Sequence, residues 1–192
     1  CRAFNVNTSL LVNDLAAMGR FVPSLKQSDF IVLNEGKARK EGNIAVIAPG
    51  TGLGEAFLIW NGFRYNAYAS EGGHSIFGAA TPLEMELSQH IREKFGCPVY
   101  ERVCSGPGIV NIYTFLKERG YGVEPEWLKA RIAAAADAVP EIIAAAMNPD
   151  DPCRLCVDTM TLFAGVLGNE AGNMGLKFMA TNGVYLGGGI VP

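Results

Sequence analysis

The sequence predicts an α/β fold in which helices flank a sheet, and three observations lead to this prediction. Residues 43–48 (NIAVIA) and 56–60 (AFLIW) have the length and apolar composition of buried strands. Apolar residues recur at four-residue spacing over residues 81–95, as on one face of a helix. Long alanine-rich and apolar segments fill most of residues 124–179, which indicates further helices.

Shorter strands are expected around these two runs. Residues 10–12 (LLV) form an apolar run that ends at Asn13 and Asp14, and ligand groups of open α/β sheets stand at such strand ends. A helix or loop follows and should end near Pro23. The dipeptide at 61–62 (NG) predicts a tight turn into a strand at 63–68, and residues 184–186 (VYL) predict a last strand.

The helix boundaries are indicated by capping residues. Thr81 with Glu84 fits a capping box, and Gly96 and Gly120 each follow an apolar helical pattern. His90 falls on the polar side of its predicted helix. The expected helices are 81–95, 108–119, 124–147 with a break near Pro140, and 151–179.

Composition and charge exclude several classes of function. A formal net charge of −3 without a basic tract gives no electrostatic support for nucleic-acid binding. No apolar run approaches the roughly 20 residues that cross a bilayer, so no membrane association is expected. Five cysteines, an odd count, do not suggest a disulfide framework, which favours a cytoplasmic protein. The chain starts at Cys1 and not at methionine, so we expect it to begin internally.

The loop at residues 50–54 (GTGLG) is the first candidate site. Consecutive glycine amides can approach phosphate oxygens, and Thr51 adds a hydroxyl donor. An ordinary glycine hairpin is the alternative. The loop is neither a Walker loop nor a dinucleotide fingerprint, because no Gly-Lys-Ser/Thr and no helix follow it.

One further segment carries groups that suit a sugar site, and another carries a carboxylate to which spacing alone assigns no chemistry. Glu71 and His74 flank two glycines and can offer both acceptors and donors to neighbouring hydroxyls, although a plain polar turn is the alternative. Glu101 precedes a turn at 105–108 (SGPG), and by itself it reads as half of a solvated pair with Arg102. A zinc site is disfavoured, since one histidine and one glutamate do not complete a zinc shell.

Two further motifs each have a functional and a structural interpretation. Asp14 at a strand end is a candidate general base, and the alternative is that Asn13 and Asp14 cap the following helix. Cys153 and Cys156 have the spacing of a zinc or redox pair. Because they open a predicted helix and no second pair exists, we interpret them as structural thiols.

Taken together, these segments resemble the bacterial, non-ROK glucokinase family, whose fold is the two-lobed fold of the actin-like ATPase (ribonuclease H-like) sugar kinases. The resemblance rests on the order and spacing of five motifs. They are residues 12–15 (VNDL), 49–54 (PGTGLG), 71–74 (EGGH), 101–108 (ERVCSGPG) and 187–192 (GGGIVP).

The resemblance implies roles for individual residues. It makes Asp14 the catalytic base for the sugar 6-hydroxyl, and it implies ATP and Mg²⁺ as cofactors. The implied glucose ligands are Asn13, Glu71, His74 and Glu101. The implied nucleotide-binding residues are Gly50, Thr51, Gly52, Gly54, Gly187, Gly188 and Gly189. No metal ligand is assigned to the chain.

The chain also departs from the family pattern. It lacks the family's Asp-x-Gly-Gly-Thr-x-x-Arg phosphate hairpin and stops where the family's chain continues, so we expect a fragment that is inactive alone. Residues 1–24 would belong to the small lobe and residues 25–192 to the large lobe. The resemblance implies D-glucose as substrate and a homodimer. A kinase for another hexose and a non-catalytic sugar sensor remain alternatives.

Overall fold

The computed structural model describes residues 12–191 and contains one four-stranded sheet in that part of the chain. The strands are β1 (Ile44–Pro49), β2 (Leu53–Trp60), β3 (Tyr65–Ser70) and β4 (Gly183–Leu186). Their order in the sheet is β3-β2-β1-β4, with β1 antiparallel to β2 and parallel to β4. The predicted strands at 43–48, 56–60 and 184–186 are confirmed, and the one at 63–68 lies two residues later. The predicted strand at 10–12 falls mostly outside the described residues.

Six helices accompany the sheet in the described part of the chain. They are α1 (Asp14–Phe21), α2 (Pro82–Phe95), α3 (Gly106–Glu118), α4 (Glu126–Ala134), α5 (Ala138–Ala146) and α6 (Arg154–Lys177). Each helix expected from the sequence is present, with ends shifted by a few residues.

Local chemistry explains the ends of α2. Thr81 Oγ1 accepts a hydrogen bond from the N–H of Glu84 at 3.2 Å, and Glu84 Oε2 accepts from the N–H of Thr81 at 3.3 Å. This confirms the predicted capping box, which satisfies backbone donors that have no partner within the helix. Gly96 ends the helix with a φ of +80°, a conformation that glycine adopts without steric cost.

Two details of the helices differ from the expectation. The break in the alanine-rich segment lies at residues 135–137, where the Asp137 side chain caps α5 by accepting from the N–H of Val139. Pro140 stands in the first turn of α5, where its missing N–H costs no bond. The prediction that His90 falls on the polar side of its helix is wrong. Its ring is buried and lies 5.5 Å from that of Phe115, because α3 covers this side of α2.

The two faces of β1 pack against different helices. Ala45 and Ile47 belong to the larger core, which α2, α3, α5 and α6 complete. Val46, on the opposite face, belongs to a smaller core to which α1 contributes Leu15. This alternation follows from the period of two along a strand. It also places the start of α1 on the sheet, beside the hairpin between β1 and β2.

No helix within residues 12–191 is both long and apolar enough to cross a bilayer. The division into a small lobe, 1–24, and a large lobe, 25–192, stays a prediction.

Candidate active site

Glu101 lies where two loops meet. It sits in a 3₁₀ turn, Tyr100–Arg102, that is followed by the buried Cys104. Its Oε2 accepts a hydrogen bond from the backbone N–H of Leu53, with 3.2 Å between N and O. A Cβ on Gly52 would come within 2.5 Å of the same oxygen, so glycine is needed for this approach. The glycine hairpin and the Glu101 turn are therefore in direct contact.

His74 stands between two carboxylates. Its Nδ1 is 3.5 Å from Glu71 Oε2, and its Nε2 is 3.9 Å from Glu101 Oε1. The side chains of Glu71 and His74 are 85% and 63% exposed, whereas that of Glu101 is 31% exposed. The structure thus brings together three of the residues for which the sequence predicts sugar contacts, and leaves them open to solvent.

The two glycines between Glu71 and His74 are required by their contacts with β2. They open a 3₁₀ turn, Gly72–His74, that lies against the first residues of the strand. A Cβ on Gly73 would overlap the carbonyl oxygen of Leu53, and a Cβ on Gly72 would overlap the carboxyl group of Glu55. Larger residues would push the turn away from the strand and move His74 with it.

Asn13 and Asp14 begin α1 close to the glycine hairpin. Asn13 is the N-cap, and its Oδ1 accepts from the N–H of Ala16 at 3.1 Å. Asp14 is exposed and is the first residue of the helix, with Oδ1 accepting from the N–H of Leu15 at 2.8 Å. The Leu15 side chain fills the space over Gly54, which a Cβ there would enter. The capping role of Asn13 is confirmed, and a functional role for either residue stays a prediction.

The two glycine segments of the predicted nucleotide site lie side by side. Gly187 donates from its N–H to the carbonyl of Ile47 at 3.0 Å, next to the end of β1. Gly188 has a φ of +92°, and a Cβ on it would overlap the carbonyl oxygen of Pro49. The carbonyl of Gly50 accepts from the N–H of Gly106, the first residue of α3, at 2.8 Å. Both segments therefore meet at one end of the sheet.

The tip of the glycine hairpin is open to solvent. Thr51 is exposed, and the N–H of Gly50 donates to the carbonyl of Gly52 at 2.8 Å to close a narrow turn. On the Leu53 side of the tip stands Glu101, and on the Pro49 side stands Gly188, which follows β4. A ligand with hydroxyl groups and a phosphate chain would find acceptors on the first side and backbone amides on the second.

Sequence reasoning missed the buried carboxyl group of Glu55. This β2 residue is 3% exposed, and its Oε1 has no hydrogen-bond partner among the described residues. Burial, together with the negative charge of Glu170, raises the pKa of Glu55 to about 7, and Lys177 opposes this shift. The only sequence signal was a charged residue on the inward face of a strand, between Leu53 and Phe57.

Cys153 and Cys156 are buried at the start of α6, in agreement with structural thiols. Burial raises the pKa of Cys156 to about 12, so its thiol stays protonated near neutral pH. Over residues 12–191, no three histidine, cysteine or acidic side chains come together as a group that could hold a metal ion.

Comparison with known proteins agrees with this geometry. A family model described as Glucokinase matches residues 1–192. The glucokinase of Trichormus variabilis is 38% identical over 194 residues, which cover 95% of this chain and 56% of that protein. The chain thus spans about half the length of the curated glucokinases it matches.

Solved structures point to the same family. The crystal structure of a glucokinase from an Antarctic psychrotroph has a TM-score of 0.80 and 32% identity, covering 94% of this chain and 52% of that one. The glucokinase of Balamuthia mandrillaris, solved in complex with glucose, has a TM-score of 0.63 and 27% identity, covering 84% of this chain and 42% of that one. The fold is therefore the predicted α/β fold of the actin-like ATPase sugar kinases. With its whole length matched, the chain belongs to the glucokinase family.

Proposed function

We propose that the protein to which this chain belongs transfers the γ-phosphoryl group of ATP to the 6-hydroxyl of glucose, the first step of glycolysis. The observation that carries the proposal is the convergence of Glu71, His74 and Glu101 beside the glycine hairpin. Family membership and the glucose complex of the Balamuthia glucokinase support the same substrate.

The sugar would lie against the carboxylates and the imidazole. Glu71 and Glu101 accept hydrogen bonds from hydroxyl groups, and His74 between them can donate or accept. The amide of Asn13 would add a donor from its Nδ2, since its Oδ1 caps the helix. A sugar that lacks a matching hydroxyl would leave these groups unpaired, which gives selectivity.

Asp14 would act as the general base. It is exposed at the start of α1, one residue before Leu15, which packs on Gly54 of the hairpin. A carboxylate there can accept the proton of the 6-hydroxyl as that oxygen attacks phosphorus. The position of α1 on the sheet thus supports a role for Asp14 near the proposed phosphate position.

The nucleotide would be held by backbone groups. Gly50, Thr51 and Gly52 form a narrow turn with an exposed tip, Gly54 follows it in β2, and Gly187, Gly188 and Gly189 follow β4 beside it. The close approach of Gly188 to Pro49 packs this segment against the hairpin, so that both glycine segments can present backbone groups to a bound adenosine triphosphate. ATP supplies the phosphoryl group, and the N–H groups of Thr51 and Gly52 at the hairpin tip would stabilise the charge on its oxygens.

Three further features belong to the proposal. Mg²⁺ would bind through phosphate oxygens and water, as is usual for this ion, and not through a carboxylate cluster of the described residues. The full-length protein would be a cytoplasmic homodimer. Residues 1–24 would belong to its small lobe, which closes over the sugar and excludes water.

The test uses the full-length protein in a coupled ADP-release assay with glucose, mannose and N-acetylglucosamine. We expect glucose to give the highest kcat/KM. A higher kcat/KM for mannose or N-acetylglucosamine would show that this sugar, and not glucose, is the preferred substrate. If calorimetry shows sugar binding but no ADP is released, the protein is a non-catalytic sugar sensor and not a kinase. The 192-residue chain alone should bind glucose weakly or not at all.

A further inference from the structure

A buried network of polar side chains lies beneath the candidate sugar site. Glu170 of α6 is fully buried, and its Oε1 is 3.0 Å from Lys177 Nζ. Its Oε2 accepts from Asn173 Nδ2 at 2.8 Å, and the same Nδ2 lies 3.1 Å from the hydroxyl of Tyr100. Tyr100 immediately precedes Glu101, so the network reaches the turn that carries a proposed sugar ligand.

Glu55, whose carboxyl group is close enough to Glu170 to feel its charge, lies under the second turn of the proposed sugar site. Its carboxyl group lies directly under Gly72, where a Cβ would overlap Oε2 and come within 2.7 Å of Cδ. Gly72 opens the turn that ends at His74. The Glu55 side chain therefore fixes how closely this turn can approach β2.

The protonation state of Glu55 matters because the site is buried. A neutral carboxyl group can occupy it at modest cost, whereas an ionised one adds an uncompensated charge near the negative Glu170. The nearest cation, Lys177, is already bound to Glu170 and is half exposed. An ionised Glu55 carboxylate would draw in water or move away from the interior. Because Gly72 lies directly against this carboxylate, either change would displace the turn.

We infer that Glu55 is a positioning residue, whose neutral carboxyl group holds the Gly72–His74 turn at the distance from β2 at which the His74 ring lies beside Glu101. The inference rests on the proposed function, because it concerns the affinity of that site for sugar. It adds a pH dependence: affinity should fall when Glu55 loses its proton.

Tyr100 and Cys104, the buried titratable groups near Glu55 whose pKa values are also raised, do not titrate in the same range. Burial and hydrogen bonding to Glu170 raise the pKa of Tyr100 to about 12. Burial also raises the pKa of the Cys104 thiol well above its usual range, with contributions from Glu170 and Glu55. The Glu71 and His74 side chains on the turn are exposed to solvent and are the same in the parent and in the Glu55 variants.

The expected size of the effect follows from the fraction of Glu55 that is neutral at each pH. A group with a pKa of about 7 is about 0.9 neutral at pH 6 and about 0.1 neutral at pH 8. If only the neutral form holds the turn, KM for glucose rises by up to about tenfold between these pH values, because apparent affinity scales with the competent fraction. kcat should follow a different pH profile, since Asp14 is a separate group.

The test compares the full-length parent with Glu55→Gln, Glu55→Ala and the control Glu126→Gln, whose side chain is 88% exposed on α4. Glu55→Gln keeps the shape of a neutral carboxyl group, so its KM should stay low from pH 6 to pH 8.5. Glu55→Ala should raise KM at every pH, and the control should follow the parent. An infrared pH titration should show a protonated-carboxyl band near pH 6 in the parent that Glu55→Gln lacks.

The outcomes separate the two proposals. A parent without hexose kinase activity would refute the proposed function, while the infrared band would still report on Glu55. An active parent whose rise in KM with pH persists in Glu55→Gln would overturn the positioning role. So would the absence of a band difference between parent and Glu55→Gln. If Glu55→Ala does not fold, the comparison with Glu55→Gln still decides the question.

Discussion

The backbone N–H of Leu53 donates a hydrogen bond to Oε2 of Glu101, and this bond joins the glycine hairpin to the turn that carries a proposed sugar ligand. Glu101 Oε1 lies 3.9 Å from the imidazole of His74, so one carboxylate contacts both the sugar side and the phosphate side of the site. A change in the hairpin should therefore alter sugar affinity as well as nucleotide affinity.

The first prediction concerns Gly52→Ala in the full-length protein. The new methyl group would displace the Glu101 carboxylate and weaken its bond to Leu53. Loss of a hydrogen bond to a charged group costs about 1.5–3 kcal/mol, so KM for glucose should rise by about 10- to 150-fold. Steady-state kinetics at saturating ATP would measure it.

Gly165→Ala is the matched control for this change. Gly165 is exposed within α6, and a Cβ there meets nothing within 4 Å. Alanine is also the better helix former, so stability should rise slightly and KM should stay unchanged. An unchanged KM in Gly52→Ala would refute the coupling through Glu101.

The second prediction concerns the proposed base. Asp14→Asn should lower kcat by about 10²- to 10⁴-fold, the usual contribution of a general base. Glucose affinity measured by calorimetry should stay close to that of the parent, because Asp14 is assigned to proton transfer. Asp150→Asn, in an exposed loop, serves as the charge-matched control. Near-normal turnover in Asp14→Asn would contradict the assignment.

The third prediction concerns the dependence of stability on pH. The pKa of Glu55 is raised in the folded state to about 7 from 4.5, so between these values the folded chain binds a proton that the unfolded chain has released. The contribution of Glu55 to the free energy of unfolding is then fully present below pH 4.5 and is lost as pH rises through about 7.

Glu55→Gln should remove this dependence. Urea unfolding of parent and variant from pH 4.5 to pH 8 would give the difference between their free energies of unfolding. That difference should shift in favour of the variant as pH rises. A difference that is constant with pH would show that Glu55 has the same pKa in both states.

The fourth prediction concerns the cysteines. Of the four that the structure describes, Cys97 is exposed and Cys104, Cys153 and Cys156 are buried. Brief alkylation of the native protein with iodoacetamide at neutral pH should label Cys97 and spare the other three, as read by peptide mass spectrometry. Labelling in urea provides the control. Rapid modification of Cys153 or Cys156 in the native state would contradict their structural role.

Features fixed by neighbouring residues could be predicted from the sequence. Thr81 with Glu84 starts α2 and Gly96 ends it, because capping depends on residues within one turn. The break before α5 was harder, since Asp137 and Pro140 both suit the start of a helix and only the structure shows which one caps it. The burial of His90 depends on α3, which the helical pattern of α2 does not reveal.

The same distinction applies to the site. Glu71, His74 and Glu101 could be selected by their motifs, but their convergence depends on how two turns pack against β2. Glu55 and Glu170 could not be selected, because each is a lone charge in an apolar segment and their proximity arises only when α6 covers the sheet.

The hairpin tip is held from both sides, since the Gly50 carbonyl is bound by the N–H of Gly106 and the Leu53 N–H is bound by Glu101. The number of residues between these two attachments is therefore set by the distance between α3 and the Glu101 turn. An inserted residue at the tip would break one attachment. Insertions should instead be tolerated in the exposed segment at 31–41, which no helix or strand includes.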